Sequence, residues 1–115
     1  MLRIIFRHIT GSRATEVDVI PLGAHRELIL GRASSAAVRF DPTMESFVGR
    51  HHARIAPSED EPTHLILVDL KSRNGTYVNG ERIERPVVLF PGDVVRLGER
   101  GPEMEVQVER TIDSR

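Results

Sequence analysis

Three short segments of the sequence concentrate side chains able to grip an anion: Gly31-Arg32-Ala33-Ser34-Ser35, Val48-Gly49-Arg50-His51-His52 and Lys71-Ser72-Arg73-Asn74-Gly75-Thr76. None has an evident duty in a hydrophobic core. If the chain brings them together, Arg32, Arg50 and Arg73 surround one spot, and three like charges repel there unless a strongly negative ligand sits among them. A phosphoryl group meets that condition. It carries roughly −1.5 to −2 charges at neutral pH with three strong acceptor oxygens, and guanidinium forks match those oxygens in geometry. The adjacent pair His51 and His52 offers little to a metal, because successive side chains on a strand point to opposite faces and metal ligands must converge. No G-x-S-x-G elbow, Walker loop or framed pair of carboxylates is present. The residues therefore predict binding without catalysis, without a metal and without a cofactor.

The elements that must position these loops read as β throughout. Short apolar runs recur every eight to twelve residues between Gly, Pro, Asn or Asp, and no stretch of ten or more carries helical periodicity. Strands are expected at 2–8, 15–20, 27–31, 38–40, 52–56, 64–70, 76–78, 82–83, 87–89, 93–97 and 103–110. Asn79-Gly80 suits a tight type I′ hairpin, whose two central residues need positive φ. Asp41-Pro42, Pro91-Gly92 and Gly101-Pro102 mark further turns. The run from Leu65 to Val68 is apolar on both parities, which predicts a central strand covered on both sides, whereas 105–109 alternates like a half-exposed one. Two stacked sheets satisfy both patterns, and in such a sandwich binding loops gather at one end.

Bulk properties narrow the choices. A chain of 115 residues fits one domain, expected to span 1–110 with 111–115 as a loose tail. No apolar run approaches the roughly 20 residues that span a bilayer, and the start of the chain lacks the apolar stretch of a secretory signal, so a cytoplasmic protein without membrane insertion is expected. The absence of cysteine removes disulfides and thiolate sites. A net charge of −1 speaks against a nucleic-acid binder that neutralises many phosphates, so any basic site must be local. Lys71 is the sole lysine beside fifteen arginines. Arginine is the better residue for bidentate phosphate contact, although genome composition produces the same bias. Arg3, Arg82, Arg96 and Arg110, outside the three loops, read as solvated strand residues or salt-bridge partners.

In order, Gly31-Arg32, then Arg50-His51-His52-Ala53-Arg54-Ile55, then Asp69-Leu70-Lys71-Ser72-Arg73-Asn74-Gly75-Thr76-Tyr77-Val78-Asn79-Gly80, then Gly92-Asp93 and Leu97-Gly98 resemble the signature of forkhead-associated (FHA) domains. The resemblance covers about residues 27–98. It implies an eleven-stranded β-sandwich of two twisted antiparallel or mixed sheets, FHA/SMAD-like, whose loops bind a phosphothreonine-containing segment of a partner protein phosphorylated by an upstream Ser/Thr kinase. By the same resemblance Arg32 is the phosphate-binding arginine, Arg50, Ser72 and Arg73 complete the phosphate cradle, and Asn74 hydrogen-bonds the ligand's backbone. Gly31, Gly49, His52, Gly75, Asn79 and Gly80 fall on structural positions of the motif, as do Asp69 and Asp93.

The departure is at Gly49. The family pattern has a serine three residues before the histidine matched by His52, and its hydroxyl bonds the phosphate; here that position has no side chain. The Gly49 amide, Ser46 and Arg50 are candidate replacements. The missing serine also supports an alternative, a phospho-independent FHA-like module for protein interaction or oligomerisation.

Overall fold

In the computed structural model, which describes residues 2–22, 27–61 and 63–110, the period-2 runs form eleven strands and no helix. They are β1 (Leu2–His8), β2 (Val17–Pro21), β3 (Leu28–Gly31), β4 (Val38–Arg39), β5 (Ala53–Pro57), β6 (Leu65–Asp69), β7 (Thr76–Val78), β8 (Glu81–Arg82), β9 (Val87–Leu89), β10 (Val94–Leu97) and β11 (Glu103–Arg110). Six make one sheet in the order β2-β1-β11-β10-β7-β8, and five make the other in the order β4-β3-β5-β6-β9. The first sheet is antiparallel throughout, and the parallel pair β3–β4 makes the second one mixed. The expected sandwich is thus the observed one. The expected tail at 111–115 lies outside the described residues.

Alternation fixes which side chains fill the space between the sheets. Ile4 and Phe6 of β1, Met104 and Val106 of β11 and Val95 and Leu97 of β10 face Leu28 and Leu30 of β3, Ile55 of β5 and Leu65 and Leu67 of β6, all buried. The expectation that β6 is covered on both sides needs correction. Leu65 and Leu67 are sealed in the core, but Ile66 and Val68 on the other face are only half-buried. They lie beside Ala56, Val88 and Arg54 of neighbouring strands, so their shielding comes from within the sheet.

Two boundaries move for identifiable reasons. β2 begins at Val17 because a tight turn takes up Thr15 and Glu16: Thr15 has φ 76° and donates its N–H to the His8 carbonyl, while the Glu16 N–H bonds the Arg13 carbonyl. β8 is Glu81–Arg82 because the two-residue turn, with φ 51° at Asn79 and 88° at Gly80, sets Glu81 opposite Val78, the type I′ geometry expected. The pairing registers bring the ends of β1, β3, β6 and β10 and the starts of β5, β7 and β11 to one rim. The segments 32–37, 40–52 and 70–75 emerge there, with 9–16 and 98–102 beside them.

Candidate functional site

The site is built on a place where backbone meets backbone. A Cβ at Gly31 would lie 2.1 Å from the Arg50 carbonyl oxygen and 2.7 Å from that of Gly49, so only glycine permits the approach. That contact lets the Arg32 and Ala33 N–H groups donate to the Gly49 and Arg50 carbonyls, each at 3.0 Å. The Arg32 side chain, half-buried, adds a hydrogen bond from Nε to the Val48 carbonyl. Its two terminal nitrogens make no hydrogen bond among the described residues.

His52 ties this joint to the third loop. It is 0% exposed; its Nδ1 accepts the Gly49 N–H at 2.9 Å, and its Nε2 lies 2.8 Å from the Gly75 carbonyl. Since a backbone N–H can only donate, Nδ1 is unprotonated and Nε2–H donates to Gly75, which fixes one neutral tautomer. Burial pushes the His52 pKa below the ordinary imidazole value, against the opposing pull of the Gly75 carbonyl and the Asp69 charge. Gly75 has φ 86°, and its carbonyl also accepts the Gly98 N–H at 2.8 Å.

The 70–75 loop is wound around Asp69. Burial alone would raise this carboxyl, but the hydroxyls of Ser72 and Thr76 and the Ser72 N–H donate to it and hold it below the usual carboxylate range. The Ser72 hydroxyl in turn accepts the Gly75 N–H at 2.9 Å. Its single proton is therefore directed at Asp69, which makes it a brace of the loop in this structure. Asn74 donates from Nδ2 to the Phe47 carbonyl at 2.8 Å, while its Oδ1 makes no bond among the described residues. Arg50 and Arg73 are exposed.

The three predicted segments thus meet, joined by hydrogen bonds at each seam. None of Arg32, Arg50 and Arg73 makes an ion pair among the described residues, whereas Arg3, Arg7, Arg13, Arg54 and Arg96 each pair with a carboxylate. An unpaired cationic rim with fixed neighbours is suited to holding oxyanions. It has no evident proton-transfer apparatus, since both ring nitrogens of His52 and the carboxylate of Asp69 are engaged in bracing. His51 is exposed while His52 is buried, so the two do not converge. Asn79 and Gly80 stand away from the rim, where Asn79 pins the β7–β8 turn to Asp93 and Val94.

Gly49 has ordinary backbone geometry, and its N–H is taken by His52. Of the three replacements considered for the missing hydroxyl, the Gly49 amide is therefore occupied; Ser46 and Arg50 are exposed.

Sequence reasoning missed several supports. Glu45, only 4% exposed, accepts the Ser12 N–H at 2.6 Å and receives the Val48 N–H on its carbonyl. It thereby shapes the turn that offers the Val48 carbonyl to Arg32. Phe47 supplies the carbonyl that holds Asn74; Arg82, exposed on β8 as expected, passes over Gly75, where a Cβ would meet its Nε at 2.8 Å. The positive φ of Gly98, 99°, had a sequence signal in Leu97-Gly98; Glu45 had none, since a glutamate in a polar loop reads as solvated.

The FHA domain family model matches residues 28–98, the stretch that contains every seam described above. The chain belongs to the forkhead-associated family. FHA domains are non-enzymatic phosphopeptide-binding modules. The domain is 37% identical over 79 residues to the ABC transporter ATP-binding/permease protein Rv1747 of Mycobacterium tuberculosis; that match covers 69% of the chain and 8% of the relative. The chain thus spans less than a tenth of that relative. Among solved structures, an FHA domain that takes part in phosphothreonine-dependent interactions superposes with TM-score 0.73 at 27% identity, covering 95% of this chain and 99% of the other. The FHA domain of FhaA, in complex with the intracellular domain of Rv3910, superposes with TM-score 0.70 at 28% identity, covering 90% and 99%. Among the described residues, no helix is long and apolar enough to cross a membrane.

Proposed function

We propose that this FHA domain binds a phosphothreonine-containing segment of a partner protein, written by a Ser/Thr kinase in the cytoplasm. Arg32 is its principal phosphate ligand. Arg50 and Arg73 add positive charge around the phosphoryl group, and Asn74 holds the ligand backbone through its free Oδ1 while Nδ2 stays on Phe47. Ser72 contributes to the cradle by fixing the loop through Asp69 and Gly75. The observation that carries the reading is the Arg32 guanidinium, anchored by Nε to the Val48 carbonyl and left with two unpaired nitrogens where two site loops are zipped together. The solved relative that takes part in phosphothreonine-dependent interactions supports it.

One observation favours a second reading. Gly49 brings no hydroxyl and its amide is occupied by His52, which suits an FHA-like module that docks unmodified partners. Fluorescence polarisation with matched threonine, phosphoserine and phosphothreonine peptides separates the two. Preference for phosphothreonine is expected; equal binding to threonine and phosphothreonine peptides would leave the second reading. Steep salt-dependent binding to arbitrary DNA, not expected at this net charge, would instead mark a polyanion binder.

A further inference from the structure

Beside the proposed phosphothreonine site, a groove of about 270 Å³ lies between the end of β6, Lys71 and the 82–86 segment, lined by Val68, Asp69, Lys71, Arg82, Glu84 and Arg85 among others. We propose that it is a second anion subsite, which takes a further acidic group, a carboxylate or a second phosphoryl group, on the same partner segment. The inference rests on the phosphothreonine-binding reading and extends it.

Its charge is the first argument. Lys71, Arg82 and Arg85 face one groove, yet none makes an ion pair among the described residues, although Glu84 lines the same groove. On the outer sheet faces the pattern is the opposite: Arg3, Arg7, Arg54 and Arg96 each meet a glutamate. Asp69 also lines the groove, its oxygens accepting from Ser72 and Thr76, so the lining sets three cations against two carboxylates. Three cations without ion-pair partners around one groove attract an anion brought to it, and arginine and lysine differ usefully there, one offering a fork and the other a point charge.

Its position is the second argument. Arg82 lies against Gly75, the residue whose carbonyl binds His52, so the groove begins where the site loop ends. Lys71 stands three residues before Asn74, a separation of at most about 10 Å of chain. An extended ligand crosses that span in about three residues. Lys71 is also held at φ 56°, a conformation that few non-glycine residues adopt, by a loop already locked through Asp69 and Ser72. The lysine is thus fixed at its root at the junction of the two sites.

The test uses the whole domain and four peptide sets: phosphothreonine alone, phosphothreonine with glutamate at each position up to four residues on either side, the same scan with phosphoserine in place of glutamate, and unphosphorylated controls. The double variant Lys71→Asn, Arg85→Gln removes two charges while asparagine tolerates the positive φ. At least one added anion should tighten binding about five- to tenfold over the phosphothreonine peptide, and the double variant should lose that gain while binding the single-site peptide within about twofold of the parent. A gain with both additions identifies any acidic side chain as the occupant, and a gain with phosphoserine alone identifies a second phosphoryl group. No gain at any position, or a gain that survives in the double variant, overturns the subsite. Failure of the underlying reading looks different, because the parent would then not prefer phosphothreonine to threonine in the single-site peptide.

Discussion

Replacing Gly49 by serine tests the site at the point where this chain departs from its family. Gly49 does not have positive φ, and a Cβ there meets the Cα, Cβ and Nδ1 of His52 at 3.5, 3.6 and 3.6 Å. These are ordinary van der Waals distances, so serine fits without moving the histidine, and the Gly49 N–H keeps its bond to Nδ1. A hydroxyl donating to a phosphoryl oxygen contributes about 1.5–3 kcal/mol, and each 1.4 kcal/mol is tenfold. Gly49→Ser should therefore tighten a phosphothreonine peptide by about tenfold to a hundredfold. Gly49→Ala carries the same Cβ without the hydroxyl and should stay within about twofold of the parent, so the ratio of serine to alanine isolates the hydrogen bond. Both variants should also gain about 0.4–1 kcal/mol of stability from the stiffer unfolded chain, which a thermal midpoint reports separately. Fluorescence polarisation with phosphothreonine and threonine peptides reads the affinity. Equal affinities for serine and alanine variants, or a gain shared by the unphosphorylated peptide, would show that residue 49 does not face the phosphoryl group.

Arg32→Ala should abolish detectable phosphopeptide binding while lowering the thermal midpoint by only several degrees, since it removes one net hydrogen bond, about 1 kcal/mol, to the Val48 carbonyl; collapse of the fold would make Arg32 structural instead. Gly31→Ala should destabilise the domain by about 1–3 kcal/mol or more, because its methyl group meets the Arg50 carbonyl and not a movable side chain; an unchanged urea midpoint would contradict that packing. The depressed pKa of His52 gives a pH dependence of stability. The unfolded chain takes up a proton that the buried ring refuses, so the contribution is complete above about pH 6.5 and is lost as pH falls from there toward the lower folded value. Urea denaturation between pH 7.5 and about 5 should show that slope, and His52→Gln should flatten it; an unchanged slope in the variant would assign it to other groups.

How far this site can be read from the chain depends on what each residue's role requires. The strands were legible because burial between two sheets imposes period 2 on Ile4, Phe6, Met104 and Val106 and because Asn79-Gly80 is one of few pairs able to make the turn it makes. Gly31, His52 and Gly75 stood out through their order along the chain, and the contacts explain that order: a glycine where backbones touch, a histidine able to accept on one side and donate on the other, and a glycine at positive φ. Glu45 was not legible, because its partner Ser12 is distant in sequence and a glutamate in a polar loop looks solvated. The outer face of β6 misled for a related reason, since apolar residues on both parities do not say whether a second layer or only neighbouring strands shield them. The same distinction orders the site itself. Residues whose hydrogen bonds are all satisfied internally, Asp69, Ser72 and His52, have little left to give a ligand and act by holding loops. Arg32, Arg50 and Arg73 keep unspent donors among the described residues, and the proposed function assigns the phosphoryl group to them. On that division the bracing group should change stability and affinity together when mutated, and the two exposed arginines should change affinity alone, a contrast that paired thermal and binding measurements on Asp69→Asn and Arg50→Ala would expose.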